Sequence, residues 1–154
     1  MLGNDARADV FASPFALPRK YCRAMELTGV LETVLYYAPG EEEALAGFYG
    51  EVLGLQRVGR EGLTFRVGQG LLLLFDRERS VRQSNPPPHG AIGSIHICFV
   101  AAADNCETWK QRLASHNVRI LDQVEWDNGV TSFYFHDPAG NLLEIADGDL
   151  WPKD

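Results

Sequence analysis

The same order of elements is written twice along this chain. Val30-Leu31-Glu32-Thr33-Val34-Leu35-Tyr36-Tyr37 is rich in β-branched and aromatic residues and predicts a strand, with Val30, Glu32, Val34 and Tyr36 on one face. Pro39-Gly40 ends it. Glu41, Glu42 and Glu43 then stack negative charge where a helix N-terminus favours it, and Ala44, Leu45, Phe48, Tyr49, Val52 and Leu53 recur at helical spacing as far as Gly54. Strands are predicted near Leu55 to Gly59, over Leu63 to Val67, and, after Gly68-Gln69-Gly70, over Leu71 to Phe75. The second pass opens on the strand Ser94 to Val100. Its helix starts at a capping box, Asp104 with Glu107, carries Trp109 and Leu113 on its apolar side, and stops at Asn117. Three strands follow, Val118 to Val124, Val130 to Phe135 and Asn141 to Ala146. A repeat of about fifty residues in which neither copy can bury its apolar face alone constrains the fold more than any motif does.

These elements predict an α+β chain of two paired βαβββ modules, residues 29–76 and 93–148, within one domain spanning 29–150. The linker 77–92 carries Arg77, Arg79, Arg82 and the run Asn85-Pro86-Pro87-Pro88-His89-Gly90. Three consecutive prolines exclude a central strand or a helix interior, so this stretch is either a solvated connector or a loop that covers substrate. Residues 1–28 show two prolines, scattered charge and no sustained period. They read as a loosely ordered extension, with Met25 a second candidate start.

Composition narrows the partners. A formal charge of −7 argues against a nucleic-acid or anionic-membrane surface, and no apolar run approaches the ~20 residues a membrane helix needs. Cys22, Cys98 and Cys106 are odd in number and lack paired metal spacing, which reads as reduced thiols in a cytoplasmic protein. A small molecule is the expected partner.

Chemistry concentrates in the last strand. Asp137-Pro138-Ala139-Gly140-Asn141 reverses the backbone, and the strand that leaves it carries Glu144 between Leu143 and Ile145. A carboxylate there must face solvent, find a partner or hold a metal. Superposing the two modules puts Glu32 and His96 at the same place, third in each opening strand, and puts Leu73 or Leu74 where Glu144 stands. Among the other histidines, His116 falls at a helix C-terminus and His136 at the surface before the turn, while His89 is a candidate to reach substrate. Tyr36, Trp126, Phe133 and Tyr134 are either core aromatics or the lining of an apolar pocket.

Glu32, the Phe48-Tyr49 and Val52-Leu53-Gly54-Leu55 segments, His96, and His136-Asp137-Pro138-Ala139-Gly140-Asn141-Leu142-Leu143-Glu144 together resemble the vicinal oxygen chelate superfamily of glyoxalases, bleomycin-resistance proteins and extradiol dioxygenases, over residues 30 to 147. The resemblance implies a half-open barrel, a homodimer, and a divalent metal (Zn, Mn, Fe, Ni or Mg) held by Glu32, His96 and Glu144. Glu32 departs from the commonest pattern, in which a histidine stands there. Glyoxalase I supplies four protein ligands, so the leucine at the fourth place argues against that activity itself. The function implied is a lyase, transferase or dioxygenase in which the metal is a Lewis acid on a small bidentate oxygen substrate and Glu32 or Glu144 is the base. The alternative is a bleomycin-resistance-like protein that sequesters a ligand without catalysis.

Overall fold

A computed structural model describes residues 27–151 apart from 60, 103 and 104. The expected extension therefore lies outside the described residues except for Leu27 and Thr28, and Cys22 lies outside them too. The elements run β1 (Glu32–Tyr37), α1 (Glu42–Gly47) continuing into a π-helical turn (Phe48–Val52), β2 (Leu63–Val67), β3 (Gly70–Asp76), α2 (Arg77–Ser80), β4 (His96–Val100), α3 (Cys106–Ser115), β5 (Ile120–Glu125), β6 (Thr131–His136) and β7 (Leu142–Ala146). Two separate sheets result, in the orders β1-β3-β2 and β4-β7-β6-β5. Each opening strand runs parallel to the last strand of its own module, and that last strand is antiparallel to the one before it. The sheets do not join, which leaves a half-open barrel.

Among the described residues the first sheet has three strands. The stretch expected as a strand near Leu55 to Gly59 makes only a single bridge, Arg57 to Phe65, with Val58 N–H donating to Thr64 O and Arg66 N–H to Gln56 O. Gly59 and Gly62 both adopt positive φ, and the Arg57 guanidinium donates to Gly62 O at 2.7 Å, so the segment curls away after one bridge. The linker differs as well, since α2 occupies its first four residues, capped by Asp76 accepting from Glu78 N–H and Arg79 N–H. The capping box expected of Asp104 with Glu107 falls partly outside the described residues. Asp104 lies outside the described residues, Asn105 stands at the N-cap without a side-chain bond, and Glu107 pairs with Lys110 instead. Both helix stops hold, with Gly54 at φ 69° and Asn117 at φ 58°.

Side-chain alternation sorts each sheet into two faces. Leu35, Phe65, Leu72, Phe133, Phe135 and Leu143 point into one core shared by both modules and closed by Leu45, Tyr49 and Leu113 from the helices. Two polar contacts lock the modules together across that core. Tyr49 Oη donates to Asp137 Oδ2 at 2.8 Å, both groups buried, and the exposed Arg112 guanidinium donates to the carbonyls of Glu51 and Val52 at the end of the π-helical turn. Replacing Tyr49 with Phe removes one donor from a buried carboxylate. Urea denaturation should then show a loss of about 1.5 to 3 kcal/mol, the range for hydrogen bonds to charged groups; a change below about 0.5 kcal/mol would mean that the bond does not hold the modules together.

Candidate functional site

The turn ahead of β7 is built from its own side chains. Asp137 Oδ1 accepts from Asn141 N–H, Asp137 Oδ2 accepts from Asn141 Nδ2, and Gly140 at φ 80° lets its N–H donate to Asp137 O. β7 then enters the middle of the second sheet between β4 and β6, so Glu144 is only 3% exposed. Its cross-strand neighbours are Cys98 on β4 and Tyr134 on β6.

His96 and Glu144 meet, with Nε2 and Oε2 3.3 Å apart. The other ring nitrogen, Nδ1, lies 3.2 Å from Leu142 O. A carbonyl only accepts, so that contact requires the proton on Nδ1, and a neutral ring then turns the Nε2 lone pair toward a carboxylate oxygen that also only accepts. Glu144 Oε1 is buried without any hydrogen-bond partner. Two acceptors face to face and an orphaned carboxylate oxygen call for a positive charge between them, supplied either by a proton on the imidazole or by a bound cation. An imidazole fixed by a backbone carbonyl through one nitrogen and presenting the other is also the arrangement of a metal-ligating histidine. The two residues therefore fit a divalent cation.

Glu32 does not join them within one chain. Among the described residues no three His, Cys, Asp or Glu side chains come together closely enough to hold a cation. Glu32 is exposed on β1 and borders a hollow of about 440 Å³, whereas His96 and Glu144 border a neighbouring cavity of about 720 Å³; Ile97, Cys98 and Val100 line both. Tyr36 and His89 form a separate pair, Oη to Nδ1 at 2.8 Å, with His89 also packed on the Phe75 ring. The linker thus folds back onto the first module's open face. Phe133 is not a lining residue. It is fully buried, stacked on Phe135 with Lys110 above its ring, because alternation along β6 turns it inward and turns Ser132 and Tyr134 toward the cavity side. Trp126 does line the cavity, with Nε1–H donating to Ser132 Oγ at 2.9 Å. His116 and His136 take their expected places, at the end of α3 and exposed before the turn.

Cys98 and Trp151 also line the cavity, and neither was expected there. Cys98 was within reach of sequence reasoning, since it stands two residues after His96 on the same strand face; Trp151 follows the last strand and carries no periodic signal. Tyr134 stacks on the His96 ring at 6.1 Å. Burial, with the Glu144 carboxylate adding to it and Ser132 opposing, raises the Tyr134 phenol above its ordinary value. Burial of the Cys98 sulfur, again helped by Glu144, pushes that thiol up to about 12, although the residue as a whole is open to solvent. Both groups stay protonated at neutral pH. In metal-free protein at pH 8, Cys98 should alkylate at least about tenfold more slowly than an unperturbed thiol, and Glu144→Gln should speed it; equal rates in the two proteins would show that Glu144 does not control the thiol.

The family model described as Glyoxalase/Bleomycin resistance protein/Dioxygenase superfamily matches residues 35–145. Among solved structures, a lactoylglutathione lyase from Agrobacterium tumefaciens is 36% identical with a TM-score of 0.75, covering 82% of this chain and 98% of its own. An integron cassette protein from V. cholerae is 24% identical at a TM-score of 0.62, covering 79% and 96%. A protein titled Oxidase ChaP-H2 is 23% identical at a TM-score of 0.60, covering 80% and 96%. The last two likenesses carry the fold alone.

Proposed function

Since the chain belongs to the glyoxalase, bleomycin resistance protein and dioxygenase superfamily, we propose that it is a metal-dependent enzyme acting on a small substrate with two neighbouring oxygen atoms, with its site completed by a second copy of the chain. The observation that carries this reading is the unpaired, buried Oε1 of Glu144 beside an imidazole whose free nitrogen faces the same carboxylate. His96 Nε2 and Glu144 would hold the cation, and Glu32 of a second copy would be the third ligand. A divalent cation held there supplies Lewis-acid polarisation of substrate oxygens. Leu142 O keeps the His96 proton on Nδ1 and leaves Nε2 free to bind. Tyr134, on the neighbouring strand, packs against the imidazole and shields one side of it from water. Glu144 or Glu32 is the base that takes a proton from carbon or oxygen next to the polarised group.

The positions of the side chains support dimerisation. Glu32, Val34 and Tyr36 share the open face of the first sheet, and His96, Cys98 and Glu144 share that of the second, with no third ligand near the second face among the described residues of the same chain. A homodimer that sets the first module of one copy against the second module of the other brings the two faces together, in an isologous arrangement with two equivalent sites. No helix among the described residues is long and apolar enough to cross a membrane, and we place the enzyme in the cytoplasm.

One observation favours the non-catalytic alternative, a protein that sequesters a ligand. Among the described residues a single chain gathers only two ligating side chains, which suits an aromatic-walled binding site without metal as well as half of a shared one. Metal analysis separates the two readings. Protein purified without an affinity tag should carry close to one divalent ion per chain, and Glu144→Ala and His96→Ala should each lose most of it; folded protein that stays metal-free in Mn²⁺, Zn²⁺ and Ni²⁺ would leave only the binding role. Mixing Glu32→Ala with Glu144→Ala protein then tests the shared site. Random reassortment should restore about a quarter of the wild-type metal sites, because half of the dimers are mixed and each mixed dimer carries one intact site. No restoration after confirmed subunit exchange would place all the ligands within one chain.

A further inference from the structure

A cavity of about 620 Å³ opens at the junction of the two modules, and among the described residues its lining shares none with the cavity beside His96 and Glu144. One wall is the helical segment of the first module, from α1 into the π-helical turn. The other is the end of α3, the start of β5 and the turn ahead of β7. Each wall carries a local irregularity at this place. Phe48 and Val52, which begin and end the π-helical turn, line the first. On the second, the β5–β6 register slips between Ile120 and Asp122, so Leu121 drops out of the ladder, lines the cavity and is 41% exposed. A π turn and a β-bulge each fit one extra residue into a regular element at the expense of regular hydrogen bonding, and both gather at functional sites, where they re-aim side chains. Core packing does not account for the slip at Leu121, because the slip leaves that side chain in water.

The two walls also carry opposite charge. Glu43 and Glu51 stand on the first, about 12 Å apart along the helical segment. Arg119, with His116 and His136, stands on the second. Among the described residues neither glutamate pairs with Arg119 or with any other cation. The walls are held apart at a set distance. The Arg112 guanidinium near the end of α3 donates to the carbonyls of Glu51 and Val52, and His116 Nδ1–H donates back to Arg112 O at 2.8 Å. A ligand of one sign would meet one complementary and one like-charged wall, whereas a molecule carrying both signs is matched on both. Leu121 and Phe48 supply apolar surface between the charges.

We propose that this cavity is a second ligand site, for a small zwitterion of dipeptide size with an apolar side chain. Its ammonium meets a glutamate of the first module, its carboxylate meets Arg119, and its side chain covers Leu121 beside Phe48. The charges of an extended dipeptide stand about 6 to 7 Å apart, which suits walls whose own charges do not touch. Such a ligand bridges the two modules and binds only when they are docked. The assignment is independent of the metal reading of His96 and Glu144.

Titration calorimetry on the full chain tests each end with L-leucyl-L-leucine, its N-acetyl derivative and its C-terminal amide. The free dipeptide should bind, and loss of either terminal charge should weaken it by about tenfold. Arg119→Gln should weaken the free dipeptide by the same factor and leave the amide unchanged, because the amide has no carboxylate for Arg119 to meet. One of Glu43→Gln and Glu51→Gln should weaken the free dipeptide and the amide but not the N-acetyl derivative. Leu121→Ser should weaken all three probes, and Glu144→Ala should weaken none. Glu43, Glu51, Arg119 and Leu121 are exposed, and urea denaturation checks that each variant keeps its fold. The proposal is overturned if the dipeptide does not bind at millimolar concentration, if Arg119→Gln weakens dipeptide and amide alike, or if neither glutamate variant weakens the dipeptide. It is overturned as well if only Glu144→Ala abolishes binding, which would put the dipeptide in the other cavity.

Discussion

A single buried carboxylate, that of Asp137, holds the two halves of this molecule in register. It is 4% exposed and accepts from three donors, Tyr49 Oη, Asn141 N–H and Asn141 Nδ2. A charge placed there without donors would be untenable, and with them the bonds are of the strong, charge-assisted kind. Tyr49 comes from the helical segment of the first module, and Asn141 is the residue from which β7 departs. Burial and the adjacent carboxylate drive the Tyr49 phenol far above its ordinary value, so it remains a donor throughout the working pH range. Module docking, turn geometry and the start of β7 therefore depend on the same few atoms. Glu144 lies three residues beyond Asn141, and its placement inherits that dependence.

The architecture was legible because its signals are local and repeated. Opening strands, the helix stops at Gly54 and Asn117, and the Asp-Pro turn each follow from a residue's own backbone preference, and duplication made the strands and the helix stops appear twice. What escaped was decided by tertiary contact or by competing local bonds. Leu55 to Gly59 was expected as a strand, yet Gly59, Gly62 and the reach of Arg57 bend it off the sheet after one bridge. Phe133 and Tyr134 are adjacent aromatic residues on one strand, and composition alone does not say which faces the core; strand register turns Phe133 inward against Phe135 and Lys110.

Of the candidate site, sequence identified the residues and structure changed their grouping. His96 and Glu144 meet because β4 and β7 are direct neighbours, a parallel pairing between strands more than forty residues apart that only the repeat could suggest. Glu32 holds the equivalent position on β1, but the equivalence places it on the other sheet's open face, not beside its counterpart. Duplication specifies symmetry-related places. Whether those places face each other within a chain or between chains depends on how the sheets associate, which no residue pattern encodes.

Strand register also settles which residue stands for Glu144 in the first module. Val34 pairs with Leu73 as Cys98 pairs with Glu144, and Glu32 pairs with Leu71 as His96 pairs with Leu142, so Leu73 is the equivalent residue. The two halves are thus alike in backbone and unlike in charge at one point. On the proposed reading, two carboxylates, Glu32 and Glu144, balance a divalent cation, and a third acid at position 73 would leave the site with net negative charge in a poorly solvated place. Leucine avoids that cost and leaves one side of the cation without a protein donor. With three protein ligands, a six-coordinate ion keeps about three positions open, two of which a bidentate oxygen substrate can occupy. On that reading the broken symmetry at Leu73 would leave three positions open where a four-ligand centre leaves two, with a neutral balance of charge.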